Sequence, residues 1–134
     1  MKVVIDTNIL ISAYLKDGTP EAVFLYVLSH NITWLVTMEI LLEYESVLRR
    51  PKFKVSMKDH EKWMSIFRDY TTVIGATTSV RLTRDVKDEK FLSCAKSGHA
   101  DFLITGDFDF SEASDMGKTC VVSASGFKEK VMGE

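Results

Sequence analysis

Four acidic residues of this chain stand where a carboxylate can do chemistry: Asp6, Glu43, Asp88 and Asp107. Asp6 directly follows the apolar run Val3-Val4-Ile5, and a short β-branched run of that kind predicts a strand buried on both faces. Asp107 stands just past a second such run, Phe102–Thr105, with Gly106 between. Parallel α/β sheets bind ligands outside the carboxyl ends of their strands. The two acids therefore share one rim if their strands are neighbours. Asp88 opens a helical pattern from Lys87 to Ser97, and on a helix of ~100° per residue it shares a face with Phe91, Leu92 and Ala95. An ionised carboxylate on that inward face is costly unless it is paired or metal-bound. Glu43 borders the apolar stripe Ile40, Leu41, Tyr44, Val47 and Leu48 of an earlier helix, so it can look into a groove, whereas Glu45 points nearly the opposite way.

Each acid also has a plainer explanation. Asp6, Thr7 or Asn8 can cap the helix that follows, Gly106-Asp107 can be a turn, and Asp88 can complete a cap with Asp85. Convergence separates the two explanations. Carboxylates gathered at ~4 Å repel by about 1 to 4 kcal/mol per pair at surface-like dielectrics, and no Lys or Arg adjoins Asp6 or Asp107 in sequence. A divalent cation offsets that repulsion. Oxygen ligands without histidine suit Mg²⁺ or Mn²⁺, while His30, His60 and His99 have no zinc-site spacing to one another or to the cysteines. A hydrated ion of this kind binds phosphates and activates water.

The elements that must position these acids alternate between strand and helix. A first helix covers Ile9–Leu15, and a second starts with Thr19 as cap and Pro20 in its first turn. Ile32–Val36 reads as a strand. Thr37 caps a helix from Met38 to Arg49 that Pro51 stops. Ser56 and Asp59 form a capping-box variant for a helix over Met57–Tyr70, whose core face holds Trp63, Phe67 and Tyr70. Thr71–Ile74 and Cys120–Ser123 are further strands, Gly98 stops the Lys87–Ser97 helix, and Gly126–Met132 forms the last helix. Short apolar strands separated by helices predict a parallel sheet covered on both faces, with right-handed crossovers. On the Lys87–Ser97 helix, Glu89, Lys90, Ser93 and Lys96 occupy the side away from Asp88 and are expected in solvent.

With 134 residues, 17 Lys plus Arg and 19 Asp plus Glu, the formal charge is −2. This suits one domain, over residues 1–134, and excludes a generally basic nucleic-acid coat protein. Cys94 and Cys120 lie in apolar contexts without a CxxC partner and are expected as buried free thiols in a reducing compartment. No stretch is long enough to span a bilayer and the chain starts on a strand, so a cytoplasmic protein without membrane attachment is expected.

Taken together, these segments resemble the PIN-domain nucleases, most closely the PIN-family toxins of prokaryotic toxin–antitoxin pairs. The resemblance rests on Val3-Val4-Ile5-Asp6-Thr7-Asn8, on Leu42-Glu43 with Val47-Leu48, on Asp85-Val86-Lys87-Asp88-Glu89-Lys90-Phe91 with Ala95, and on Ala100-Asp101-Phe102-Leu103-Ile104-Thr105-Gly106-Asp107. Val86 stands where close relatives often carry proline, and Glu89 where an aspartate is common. The resemblance implies a three-layer α/β/α fold around a parallel sheet of four or five strands. It implies a Mg²⁺- or Mn²⁺-dependent endoribonuclease with Asp6, Glu43, Asp88 and Asp107 as catalytic, metal-holding acids and Asn8 and Thr105 as polar supports. Asp101 and Asp109 lie outside that set. RNA is then the substrate, with a protein antitoxin and a second copy of the chain as further partners.

Arg49, Arg50, Lys52 and Lys54, with Arg81 and Arg84, are candidates to hold flanking RNA phosphates, although such runs are more often plain solvated surface. Among rival functions, an Asp107-Phe108-Asp109 phosphatase leaves Glu43 and Asp88 without a role. A receiver-like domain wants adjacent acids after its first strand, where this chain has Thr7 and Asn8. A catalytically silent metal-binding scaffold that contacts RNA or a protein would carry the same acids, and only an assay separates it.

Overall fold

A computed structural model describes residues 1–77, 89–106 and 116–133. Five parallel strands, β1 (Lys2–Ile5), β2 (Thr33–Val36), β3 (Thr71–Val73), β4 (Phe102–Ile104) and β5 (Cys120–Val122), lie in the order β3-β2-β1-β4-β5. The order puts the two most apolar runs side by side, with Val3 opposite Phe102 and Ile5 opposite Ile104. Burial on both faces, expected of a central parallel strand, holds for Val3, Val4 and Ile5, all with no exposed surface.

Six α-helices surround the sheet among the described residues: α1 (Thr7–Leu15), α2 (Thr19–Ser29), α3 (Met38–Leu48), α4 (Met57–Tyr70), α5 (Glu89–Ser97) and α6 (Ala124–Val131). Alternation along β2 shows how both faces are covered. The Trp34 ring meets Phe24 of α2, Tyr44 of α3 and Phe67 of α4. Leu35 turns the other way, toward the end of α5, where a Cβ on Gly98 would fall 2.5 Å from its Cδ1. Gly98 is thus there for close packing, while the left-handed residue after the helix is His99, at φ 53°. The three-layer α/β/α arrangement is the expected one, with five strands.

Thr37 and Ser56 cap α3 and α4 as the sequence predicts, while the Asp59 carboxylate accepts from the Tyr14 hydroxyl at 2.9 Å. Thr37 accepts from the Ile40 N–H at 3.2 Å and Ser56 from the Asp59 N–H at 3.1 Å. Three local expectations fail. α2 begins at Thr19 itself, with Gly18 as a cap that offers no side chain, so Thr19 is not the cap. Tyr70, at the end of α4, is half exposed rather than in the core, because only Trp63 and Phe67 of that helix reach the ring cluster under β2. Cys120 is exposed, not buried, since it opens the short edge strand β5.

Cys94 lies in the core under α5, and burial pushes its thiol up to about 12. Only the thiolate reacts. A thiol titration at pH 8 is therefore expected to count one reactive cysteine in the native protein, Cys120, and a second only after unfolding. Equal reaction rates for both would contradict the packing of α5.

Candidate active site

At the carboxyl ends of β1 and β4 the backbone itself sets the site. The Asp6 N–H donates to the Ile104 carbonyl at 2.9 Å, so the residues that leave the two strands, Asp6 and Thr105, sit beside each other. The Thr105 hydroxyl donates to Asp6 Oδ2 at 2.7 Å. The Asn8 N–H donates to Asp6 Oδ1 at 3.2 Å and makes Asp6 the N-cap of α1. Asp6 therefore caps and also lies in the crevice. These two explanations coexist, because a strand that runs straight into a helix puts its cap residue on the rim. Asp6 is 3% exposed. A carboxylate so buried at a helix N-terminus is favoured by the helix dipole.

Glu43 reaches the same rim from α3. Its Oε2 accepts a hydrogen bond from the Thr7 hydroxyl, one residue after Asp6. The helix is held to the end of β1 by the next residue, Tyr44, whose hydroxyl donates to the Ile5 carbonyl and accepts from Trp34 Nε1 at 3.4 Å. Burial pushes the Tyr44 phenol well above its ordinary range, so it remains a donor at neutral pH. Glu45 behaves as expected of an outward acid and pairs with Arg49 at 2.6 Å.

The other oxygen of Glu43, Oε1, is 2.8 Å from the Lys90 ammonium of α5, whose side chain is only 12% exposed. The expectation that Lys90 is solvated is thus wrong. Wheel geometry places the Cα–Cβ direction, but a four-carbon stem can turn its charge back over the helix end. Glu89, expected in solvent as well, is half-buried. Thr7 and Lys90 are the two site residues that sequence reasoning missed. Thr7 was legible as part of the Asp6-Thr7-Asn8 run but had no partner until α3 was placed.

Asp88 and Asp107 lie outside the described residues, as do Asp85, Asp109, Arg81 and Arg84. In sequence, Asp88 is two residues before Lys90 and Asp107 two residues after Thr105. Asn8 contributes its backbone N–H, and its side chain is exposed. Asp101 is at the opposite end of the strands, where it accepts from the Lys2 N–H at 2.8 Å and pairs with Lys118 at 3.2 Å. The Lys2 bond, assisted by Lys118, holds its carboxyl below the usual range.

The donor set suits a hard cation. Two carboxylates and two threonine hydroxyls come together with no imidazole or thiolate among the described residues, which matches oxygen-loving ions. Asp6 and Glu43 are two described acids, and no group of three potential ligands occurs among the described residues.

Farther along α3, a cavity of about 410 Å³ is lined by Arg49, Arg50 and Lys54 over an apolar floor that includes Pro51 and Val55. Arg49 and Arg50 follow directly on the last residue of α3, Leu48, the helix that carries Glu43. Lys52 does not line it. Its ammonium lies over the Phe53 ring, 5.0 Å from the centroid.

Comparison with known proteins agrees with this architecture. A family model described as PIN domain matches residues 2–109. An uncharacterised protein of Methanocaldococcus jannaschii is 30% identical over 122 residues, which cover 88% of this chain and 78% of that protein. The crystal structure of VapBC2 from Rickettsia felis bound to a DNA fragment from their promoter superposes with a TM-score of 0.61. The identity is 17%, over 92% of this chain and 98% of that chain, and the likeness is one of fold.

Proposed function

This chain belongs to the PIN-domain family, and on that footing we propose that it is a metal-dependent endoribonuclease, the toxin of a toxin–antitoxin pair. The observation that carries the proposal is the junction of Asp6, Thr105, Thr7 and Glu43. The end of β1 and helix α3 deliver two carboxylates to the rim where an α/β sheet binds its ligands, and the hydroxyls of Thr105, after β4, and Thr7 fix one oxygen of each.

In this reading Asp6 and Glu43, with Asp88 and Asp107, hold Mg²⁺ or Mn²⁺. The ion would supply Lewis acidity at a backbone phosphate and an activated water. The chain's own contribution is positional. Thr105 and the Asn8 N–H keep the Asp6 carboxylate turned to the rim, and Thr7 keeps Glu43 extended toward it. Arg49, Arg50 and Lys54, which line the cavity past the end of α3, hold phosphates of the RNA strand beyond the cleaved bond, with Lys52 beside them. The partners proposed are RNA, a protein antitoxin and a second copy of the chain, and the place of action is the cytoplasm. Among the described residues no helix is long and apolar enough to cross a membrane.

The test is incubation of the purified chain with single-stranded and structured RNA in Mn²⁺, Mg²⁺ or chelator. Cleavage that needs the ion and stops with chelator is expected. Ion binding without cleavage of any RNA would instead favour the silent scaffold. In parallel, millimolar Mn²⁺ is expected to raise the melting temperature, since the folded crevice binds the ion and the unfolded chain hardly does. No shift, with no heat of binding by calorimetry, would remove the metal from the proposal.

A further inference from the structure

We propose that the Lys90 ammonium is the resident counter-cation of the acidic site, which holds Glu43 while no metal is bound and competes with a divalent ion for it. The proposal rests on the metal reading above.

Exposed lysine pairs are common and contribute little, but Lys90 is not of that kind. Its side chain is 12% exposed, that of Glu43 is 27% exposed, and the two charges are 2.8 Å apart. They come from different elements, α5 and α3, so the pair is a tertiary contact and not an accident of helix spacing. Taking an ammonium out of water is costly unless a carboxylate compensates it. The place where this chain accepts that cost is beside the acids of the rim. The Phe91 ring flanks the ammonium, with its centroid 5.4 Å away.

Both Glu43 oxygens are engaged, Oε2 by Thr7 and Oε1 by Lys90. A divalent ion that binds Glu43 must share the carboxylate with a positive charge or displace it. Thr7 is neutral and sets no such condition. Lysine is well suited to yielding, because it is a compact charge on a flexible stem, whereas an arginine fork would grip both oxygens. The competing explanation is that Lys90 merely pins Glu43 in the right rotamer. The two explanations differ in sign: loss of a pin weakens ion binding, and loss of a competitor strengthens it.

Calorimetric titration of Mn²⁺ into the wild type, Lys90→Met, Glu43→Gln and the double variant decides between them. Lys90→Met is expected to bind Mn²⁺ roughly tenfold tighter than the wild type, and its metal-free form to melt at lower temperature. In the Glu43→Gln background the same substitution is expected to give a clearly smaller gain, since the Glu43 share of the coupling is gone. Lys90→Gln, which keeps a donor but no charge, repeats the measurement if the apolar variant does not fold. Affinity that is unchanged or weaker without the lysine charge overturns the proposal. So does an equal gain with and without Glu43, which would be a general field effect. If the wild type binds Mn²⁺ and Lys90→Met binds it no tighter, only the role of Lys90 fails. If no folded variant takes up the ion, the metal reading fails and this proposal with it.

Discussion

Asp6→Asn is expected to lower metal-dependent RNA cleavage by on the order of 10³-fold, the scale on which removing one preorganised charged or polar partner acts in active sites, while the protein stays folded. The amide oxygen can still accept from the Asn8 N–H and preserve the cap of α1, and the Thr105 hydroxyl can rotate to accept from the amide nitrogen. What disappears is one negative charge on the rim. Without metal that loss relieves repulsion with Glu43, so the melting temperature is expected to hold or rise. Asp101→Asn is the matched control, an acid of the same strand pair but at the opposite rim, bonded to the Lys2 N–H. It is expected to leave cleavage nearly unchanged. The measurements are a cleavage rate and a thermal melt for each variant. Equal loss of activity in both variants would mean that general charge, and not position, matters. An unfolded Asp6→Asn would mean that the carboxylate serves the fold first.

Tyr44→Phe carries the largest expected effect on stability. The hydroxyl is buried, 1% exposed as a residue, and it joins the Ile5 carbonyl to the Trp34 indole nitrogen. Removing it leaves a buried acceptor and a buried donor without that partner, at a cost of about 1 to 3 kcal/mol. For a domain of this size that corresponds to a fall in Tm of roughly 3 to 10 °C. A pH signature accompanies it. Burial raises the folded phenol well above its ordinary value, so the unfolded chain deprotonates first, near pH ~10. The stability linked to this group is complete below that pH and declines as pH rises above it. Denaturant melts at pH 7 and pH 10.5 should therefore show the deficit of Tyr44→Phe shrinking at the higher pH. A variant as stable as the wild type at pH 7 would show that the tyrosine hydroxyl does not tie α3 to β1.

Much of this was written in the chain. Val3-Val4-Ile5 and Phe102-Leu103-Ile104 are apolar on every residue, which in a short run means burial on both faces and hence a parallel sheet. Thr37 and Ser56 marked helix starts through side chains that bond to nearby backbone. For the same reason Asp6 could be placed at a strand end from sequence, and Glu43 at the border of an apolar stripe.

Tertiary structure decided what those positions meet. The sequence offers no way to tell that β1 pairs with β4 rather than only with β2, yet that pairing sets Thr105 against Asp6. Thr7 and Glu43 are 36 residues apart, and their bond exists because Tyr44 locks α3 onto the end of β1. Lys90 shows the limit most plainly. Periodicity describes where a Cβ points, and it placed this residue in water. A long, flexible stem can turn its charge to a carboxylate on another helix. Apolar patterning is local and additive along the chain, so sequence reads it well. Pairing between charges depends on distances in space that only the folded sheet and its crossovers set.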